Sequence, residues 1–197
     1  MIKIVRLQEN ALESVVRDAI QALQQGKVIA CPTDTVYGLL ADAASQEAVD
    51  KVFQIKKRAK DKPVYIFVKD IEMAKEYAEI DEEQEEFLKK NWPGKITVIL
   101  QGKHKLPEGI ELQGKIGMRI PKYQLIQDIL EEFGKPLTGT SANISGTSSC
   151  LDSKEVIAQF EGREFQPDVL LDAGKLLESN PSMVIDITGT PYQILRK

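Results

Sequence analysis

Three short segments of this sequence combine residue types that could bind a small polar molecule. The first, CPTDTVYGL at residues 31–39, follows an apolar run and presents the hydroxyl groups of Thr33, Thr35 and Tyr37 beside the carboxylate of Asp34. Binding groups are often carried on loops that a rigid scaffold holds in place. Taken alone, the segment is more readily a polar turn between two strands than a binding site.

The second segment, KKRAKDKP at residues 56–63, concentrates positive charge. Five cations fall within seven residues: Lys56, Lys57, Arg58, Lys60 and Lys62. Helical residues two apart do not share a face. However, Pro63 disfavours the helical conformation for the residue before it, so a helix should end here and several cations can converge. Arginine offers a bidentate fork for phosphate and lysine a point charge. The alternative is a solvated helix end.

The third segment, TGTSANISGTSS at residues 138–149, follows an apolar strand and holds four Ser, three Thr, two Gly and Asn143. Its backbone N–H groups and hydroxyls could wrap a phosphate or a ribose, and the alternative is a flexible connector. The common phosphate loops, GxxxxGK[ST] and GxGxxG, are absent, and so are nucleophile-elbow, kinase and His-dependent triad motifs. Together the three segments indicate binding of a polyphosphate and a small polar molecule.

Charge is distributed unevenly along the chain. The formal net charge is −4, which argues against a protein that coats nucleic acid. Residues 70–86 contain nine acidic side chains and one basic side chain, so the rest of the chain carries a net +4. We expect the acids to form solvated helix faces, and any anion site to lie elsewhere.

Other classes of protein are excluded by composition. The apolar runs fall far short of the ~20 residues that a membrane-spanning helix needs, and the N-terminus lacks the apolar core of a secretory signal. Cys31 and Cys150 are far apart, which argues against a disulfide scaffold and for a reducing, cytoplasmic compartment. The single histidine, His104, lies between two lysines and is expected to be solvated, so a zinc site is not predicted.

Strands and helices alternate along the chain and must position these segments. Strands are predicted at 2–7, 28–31, 36–41, 64–68, 96–100, 116–120, 137–140, 169–172, 183–187 and 193–195. Helices are predicted from a cap at Asn10 with Glu13 to Gly26, after a cap at Ser45, and at 71–78, 82–91, 123–133 with Gly134 as terminator, and 153–160. This order predicts one layered α/β domain over residues 1–197. The helix-free C-terminal strands favour a mixed sheet.

Six motifs in a fixed order resemble the YrdC/TsaC-like family of threonylcarbamoyl-AMP synthases. They are PTDTVYGL (32–39), KKR followed by KP (56–58 and 62–63), WPG (92–94), GMRIP (117–121), SANISG (141–146) and PSMVID (181–186). Each motif alone would be weak, but the ordered set covers essentially the whole chain. The resemblance implies an α/β fold (α+β by some schemes). In it, a three-layer, twisted, open mixed sheet of about seven strands is flanked by helices.

The resemblance also implies a reaction. L-threonine, bicarbonate and ATP would give threonylcarbamoyl-AMP, pyrophosphate and water, with Mg²⁺ held mainly by the ATP phosphates and no metal ligands from the protein. The product would serve the t6A modification at position 37 of tRNAs that read codons beginning with A. Downstream threonylcarbamoyl-transfer proteins and RNA, including double-stranded RNA, are therefore expected partners. Longer relatives carry a further C-terminal domain, so this chain resembles the short form.

Residue roles follow where the motifs match. The resemblance implies a threonine pocket formed by Thr33, Thr35, Tyr37, Arg119 and Ser182. It implies that Lys56 and Arg58 bind the phosphates and act in catalysis. It implies further nucleotide contacts from Lys62, Lys115, Ser141, Asn143, Ser149 and Arg196.

The sequence departs from the family pattern at four positions. Phe67 stands where many relatives have His at the threonine pocket, Met183 replaces a common Thr, and Lys95 and Cys150 each replace a common Pro. Because phenylalanine has no hydrogen-bonding group, Phe67 cannot make the threonine contact expected of that histidine.

Two other functions compete with this interpretation. An RNA-binding or ribosome-associated module could use the cationic segment at 56–62, although only 6% of the residues are aromatic and no basic helix is present. A carbamoyl-transfer domain acting on carbamoyl phosphate is the second alternative. It is disfavoured because the chain has no acylphosphatase-like or zinc-finger region.

Overall fold

The computed structural model describes residues 1–8 and 11–197 and contains six helices and thirteen strands within them. The helices are α1 (Leu12–Gln24), α2 (Gln46–Lys56), α3 (Ile71–Tyr77), α4 (Glu82–Asn91), α5 (Gln124–Phe133) and α6 (Ser153–Phe160). The strands are β1 (Lys3–Arg6), β2 (Ile29–Cys31), β3 (Gly38–Leu40), β4 (Ile66–Phe67), β5 (Ala78–Glu79), β6 (Ile96–Gly102), β7 (Glu111–Leu112), β8 (Lys115–Arg119), β9 (Leu137–Thr138), β10 (Thr140–Ser141), β11 (Val169–Asp172), β12 (Met183–Asp186) and β13 (Gln193–Arg196). In the described ranges, no helix combines the length and apolar character that crossing a bilayer requires.

The strands form two sheets, both of which mix parallel and antiparallel pairs. The first has the order β1-β11-β2-β3-β10, and the second has the order β13-β12-β6-β8-β4-β9, with β5 added to β6 and β7 to β8. In the second sheet, β4 runs parallel to β8, whereas β6 runs antiparallel to it. The predicted mixed α/β fold is confirmed, although the strands divide between two sheets where the sequence indicated one.

The division arises at Gly139, inside a segment predicted to be one strand. Before it, Leu137 and Thr138 pair with β4 of the second sheet, and after it, Thr140 and Ser141 pair with β3 of the first. The Thr138 N–H also donates to the carbonyl of Ala41, at 2.9 Å. This crossing segment therefore joins the two sheets side by side.

Side chains on successive strand residues pack into two separate cores. In β2, Ile29 and Cys31 lie in a cluster with the apolar faces of α1 and α5, whereas Ala30 lies in a cluster with those of α2 and α6. Alternation of this kind follows from the pleat of a strand buried on both faces. Helices therefore pack on both sides of the strands, in the three layers expected.

Helix ends match local signals in the sequence. Ser45 caps α2 by accepting a bond from the Ala48 N–H at 3.3 Å, and Gly134 ends α5 in a left-handed conformation with φ 70°. The predicted cap at Asn10 lies outside the described residues. Two members of the acidic stretch, Asp70 and Asp81, cap α3 and α4 through their side chains. They therefore stabilise helices in addition to carrying charge.

Candidate functional site

One cavity of about 240 Å³ collects side chains from segments that are distant in sequence. Eight of the predicted site residues line it: Thr33, Thr35, Arg58, Arg119, Ser141, Ser149, Ser182 and Arg196. Five other predicted residues do not line it: Tyr37, Lys56, Lys62, Lys115 and Asn143. Its lining also includes residues to which the sequence assigned no role, among them Pro63, Tyr65, Thr97, Gly139 and Pro181.

Arg119 is fixed in the cavity wall by two strong contacts. Its Nη2 donates to Asp34 Oδ2 at 2.6 Å, and its Nε donates to the Gly94 carbonyl at 2.7 Å. Burial lowers the pKa of the Arg119 guanidinium, and the neighbouring Asp34 carboxylate opposes that shift. The guanidinium also lies over the Phe67 ring, 6.0 Å from its centroid, a cation–π arrangement. Arg119 is thus a preoriented cation suited to a carboxylate.

Asp34 is a residue that the sequence placed near the site without a role. Its Oδ2 accepts bonds from Arg119 and from the Lys122 N–H, whereas its Oδ1 is buried without a hydrogen-bond partner among the described residues. Its position between two threonines of the 31–39 segment was the available signal. The pairing itself depends on Arg119, which is 85 residues away.

Thr33 organises the turn that carries the first segment. Its Oγ1 accepts bonds from the N–H groups of Thr35 and Val36 at 3.0 and 3.2 Å, and it donates to the Val36 carbonyl at 2.7 Å. The Thr35 hydroxyl lies 3.0 Å from that of Thr33. The sequence analysis treated a polar turn and a binding site as alternatives for this segment. In the structure the segment forms a polar turn that also lines the cavity.

Tyr37 lies behind that wall. Its hydroxyl donates to the Gly174 carbonyl at 2.8 Å and accepts from the Ala173 N–H at 3.0 Å. Burial raises the pKa of Tyr37 to about 12. These two hydrogen bonds of the Tyr37 hydroxyl hold the turn against residues 173–174.

Arg58 lines the cavity after α2 has ended. Lys57 takes a left-handed conformation with φ 48°, and Arg58 then donates from Nε to the Lys62 carbonyl at 2.7 Å and from Nη2 to the Pro63 carbonyl at 3.0 Å. The helix end predicted from Pro63 is therefore present. Lys62 supports Arg58 through its backbone, while its exposed side chain lies outside the cavity lining.

Lys56 lies beneath the third segment and is only 2% exposed. Its ammonium group donates to the carbonyl oxygens of Ser141 and Asn143 at 2.5 and 2.9 Å, and to Asn143 Oδ1 at 3.1 Å. Those acceptors favour the charged form. Loss of hydration on burial nevertheless dominates and, with the nearby charge of Arg58, lowers the pKa of Lys56 to about 7.

The third segment is held by its own side chains and by Gln159 of α6. Asn143 Nδ2 donates to the carbonyls of Ile144 and Thr147 at 3.0 and 2.7 Å, and Gln159 Oε1 accepts from the Ile144 N–H at 3.1 Å. Ser141 Oγ donates to Asn143 Oδ1 at 2.5 Å. The segment is thus a tied loop, and Asn143 acts inside it while Ser141 faces the cavity.

The C-terminal strand closes the opposite side. Arg196 donates from Nε and Nη2 to the Ser182 carbonyl at 3.1 and 2.8 Å, and Ser182 Oγ lies 3.1 Å from Thr97 Oγ1. Lys115 is instead paired with Asp186 at 2.8 Å, in a separate depression of the surface.

The chain is similar to proteins of one family throughout its length. The Sua5_yciO_yrdC family model, described as "Telomere recombination", matches residues 21–197. A putative threonylcarbamoyl-AMP synthase of Methanocaldococcus jannaschii is 35% identical over 95% of this chain and 87% of the relative. The threonylcarbamoyl-AMP synthase of Yersinia enterocolitica is 31% identical over 95% of this chain and 99% of the relative.

A solved structure shares the fold. The crystal structure of Pyrococcus abyssi Sua5 complexed with L-threonine matches with a TM-score of 0.89 and 33% identity, over 100% of this chain and 57% of that protein. The chain thus spans little more than half the length of this relative.

Proposed function

The chain belongs to the Sua5/YciO/YrdC family, and from that premise we propose that it is a threonylcarbamoyl-AMP synthase, a nucleotidyltransferase. The observation that carries the proposal is one cavity in which three arginines, Arg58, Arg119 and Arg196, lie among hydroxyl-bearing residues. Three cations in one small cavity suit a reaction that joins a carboxylate-bearing amino acid to a phosphate ester.

In this proposal, threonine binds at the Arg119 end. The guanidinium, held by Asp34 and Gly94, would receive the threonine carboxylate. The Phe67 ring beside it has no hydrogen-bonding group, so the threonine hydroxyl is expected to bond to Thr35 or Ser182. A hydrogen-bonded hydroxyl rejects valine strongly, because valine would leave a buried polar group unpaired.

The nucleotide is proposed to bind along Arg58, Ser141, Ser149 and Arg196, which line the rest of the cavity. Lys56 and Asn143 would act from beneath by fixing the Ser141 loop. Within residues 1–8 and 11–197, no three His, Cys, Asp or Glu side chains gather where they could hold a metal ion. In this proposal, a Mg²⁺ ion would be bound mainly through the ATP phosphates, where it would supply charge neutralisation.

The proposed chemistry requires no nucleophile from the protein. The threonine amine combines with bicarbonate to give a carbamate and water. A carbamate oxygen then attacks the α-phosphorus of ATP as the bond to pyrophosphate breaks. Such reactions depend on positioning and charge stabilisation, a role assigned here to Arg58. In agreement, burial raises the pKa of both Cys31 and Cys150, which keeps these thiols protonated and unreactive.

The test is incubation with ATP, bicarbonate and each amino acid in turn, with pyrophosphate release and adenylate mass as readouts. Pyrophosphate release that depends on threonine and bicarbonate is expected, and Arg58→Ala should lower it by about 10²–10³-fold while remaining folded. Equal turnover with valine would refute the pocket described above. Turnover of carbamoyl phosphate instead of ATP would favour a carbamoyltransferase.

The wider partners belong to the same proposal. Transfer of the product to tRNA by downstream threonylcarbamoyl-transfer proteins, in the cytoplasm, follows from the proposed reaction. Direct RNA contact is best measured as a function of salt concentration. Steep salt dependence without any ATP turnover would favour an RNA-binding module over an enzyme.

A further inference from the structure

Two aromatic side chains, two residues apart at strand β4, line the cavity. Tyr65 immediately precedes β4 and Phe67 ends it, and both contribute to the lining. Residues two apart in an extended segment project from the same side of a sheet. Tyr65 and Phe67 therefore lie side by side on one face of the second sheet.

Tyr65 has a glycine opposite it on each neighbouring strand. Ile66 pairs with Met118 of β8 and with Thr138 of β9, so Tyr65, one residue earlier, falls opposite Gly117 and Gly139. The Gly139 N–H donates to the Tyr65 carbonyl at 2.7 Å, which confirms that position. The residues directly opposite Tyr65 on the two neighbouring strands are therefore both glycines and have no side chains.

The missing side chains let both rings lie against backbone. A methyl group at Gly117 would overlap the Tyr65 ring, and one at Gly139 would lie 2.7 Å from Phe67 Cε1. Tyr65 is only half-buried and lines the cavity. Its ring thus packs against Gly117 of β8 and also contributes to the cavity lining.

The two rings occupy different electrostatic surroundings. Phe67 lies under the Arg119 guanidinium, at the end assigned to the amino acid. Tyr65 lies near Arg58, where its charge partly offsets the burial that lowers the pKa of the Arg58 guanidinium. Lys115 precedes Gly117 by two residues and lies on the same face of β8. Tyr65 is therefore adjacent to the cation assigned to phosphate and away from the carboxylate end.

We propose that Tyr65 is the stacking platform for the purine base of the nucleotide. The inference rests on the proposed function, because it takes ATP as the ligand. A tyrosine ring that packs closely against a glycine and lines the cavity can offer its π system to a ligand, and aromatic stacking is a common way of binding bases.

The test measures equilibrium binding of ATP and of inorganic tripolyphosphate by calorimetry, without threonine or bicarbonate. Tyr65→Leu removes the ring, whereas the matched control Tyr65→Phe keeps it and removes only the hydroxyl. Tyr65→Leu is expected to weaken ATP binding by about tenfold or more, with tripolyphosphate binding unchanged. Tyr65→Phe should bind both ligands as the wild type does.

Three results would overturn the platform. They are unchanged ATP binding by Tyr65→Leu, equal weakening of ATP and tripolyphosphate, or a loss in Tyr65→Phe as large as that in Tyr65→Leu. The last would assign the role to the hydroxyl group. A second variant, Gly117→Ala, keeps Tyr65 but displaces its ring, so it should weaken ATP binding. Because the added methyl group overlaps the ring at a buried position, a lower melting temperature is also expected, and binding is compared where circular dichroism shows the variant folded.

The outcomes separate this inference from the proposed function. If the wild type forms the adenylate while Tyr65→Leu binds ATP normally, the platform is wrong and the function stands. If the wild type binds ATP, loses that binding in Tyr65→Leu, and forms no adenylate, the function is wrong and the base site stands.

Discussion

Because the ammonium group of Lys56 is buried, it should make the free energy of unfolding depend on pH. Comparison with a variant that lacks this group separates its contribution from that of the other titrating residues. In the unfolded chain, the lysine titrates with its ordinary pKa of 10.5, whereas burial lowers the pKa in the folded chain to about 7. Between these values the unfolded state binds one more proton than the folded state, so stability rises with pH. Below pH 7 both states are protonated, and Lys56 contributes no slope.

The magnitude follows from the same two values. Each pH unit inside the window is worth about 1.4 kcal/mol, so raising the pH from 7 to 9 should stabilise the protein by about 2.5 kcal/mol through Lys56 alone. Lys56→Met keeps an unbranched side chain that is one atom shorter and removes the titration. The difference in unfolding free energy between wild type and variant cancels the groups that titrate in both.

The assay is urea denaturation of both proteins at pH 6, 7, 8 and 9. The unfolding free energy of the wild type minus that of Lys56→Met should be constant below about pH 7. It should then increase by about 2.5 kcal/mol between pH 7 and pH 9. A difference that stays flat across the series would refute the reasoning. It would mean that the oxygens of Ser141 and Asn143 hold Lys56 charged despite its burial.

Other predictions concern the positioning of Arg119 and the helix caps. Asp34→Asn weakens a charge-assisted bond to Arg119, and we expect the KM for threonine to rise about tenfold with little change in kcat; an equal fall in kcat would contradict a positioning role. Arg119→Lys loses the planar fork, so calorimetry should show threonine binding weakened about a hundredfold and ATP binding retained. Asp81→Ala removes the cap of α4 and should cost about 1 kcal/mol in urea denaturation, with turnover unchanged.

Features set by near neighbours could be predicted from the sequence. Ser45 and Gly134 fix helix ends through contacts within three or four residues, so their signals survive whatever the rest of the chain does. The cavity segments were found for a related reason. Small polar residues directly after apolar runs indicate where a strand stops and a loop presents its side chains.

Features set by tertiary packing and strand register could not be predicted. Lys56 and Arg58 lie in one cationic segment, yet packing places Lys56 beneath the loop and Arg58 in the cavity wall. Tyr65 becomes notable only once Gly117 and Gly139 are known to lie opposite it. Likewise, nothing local shows that Gly139 divides one predicted strand between two sheets.

The position of β13 bears on how the cavity opens. This strand lies at the outer edge of the second sheet and all four of its residues are exposed, yet its Arg196 holds Ser182 in the wall. Edge segments open locally at a lower free energy than buried strands. Amide hydrogens of β13 should therefore exchange with solvent well before those of the buried strand β4. Fraying of this one wall would admit and release ligands while the floor that orients them stays folded.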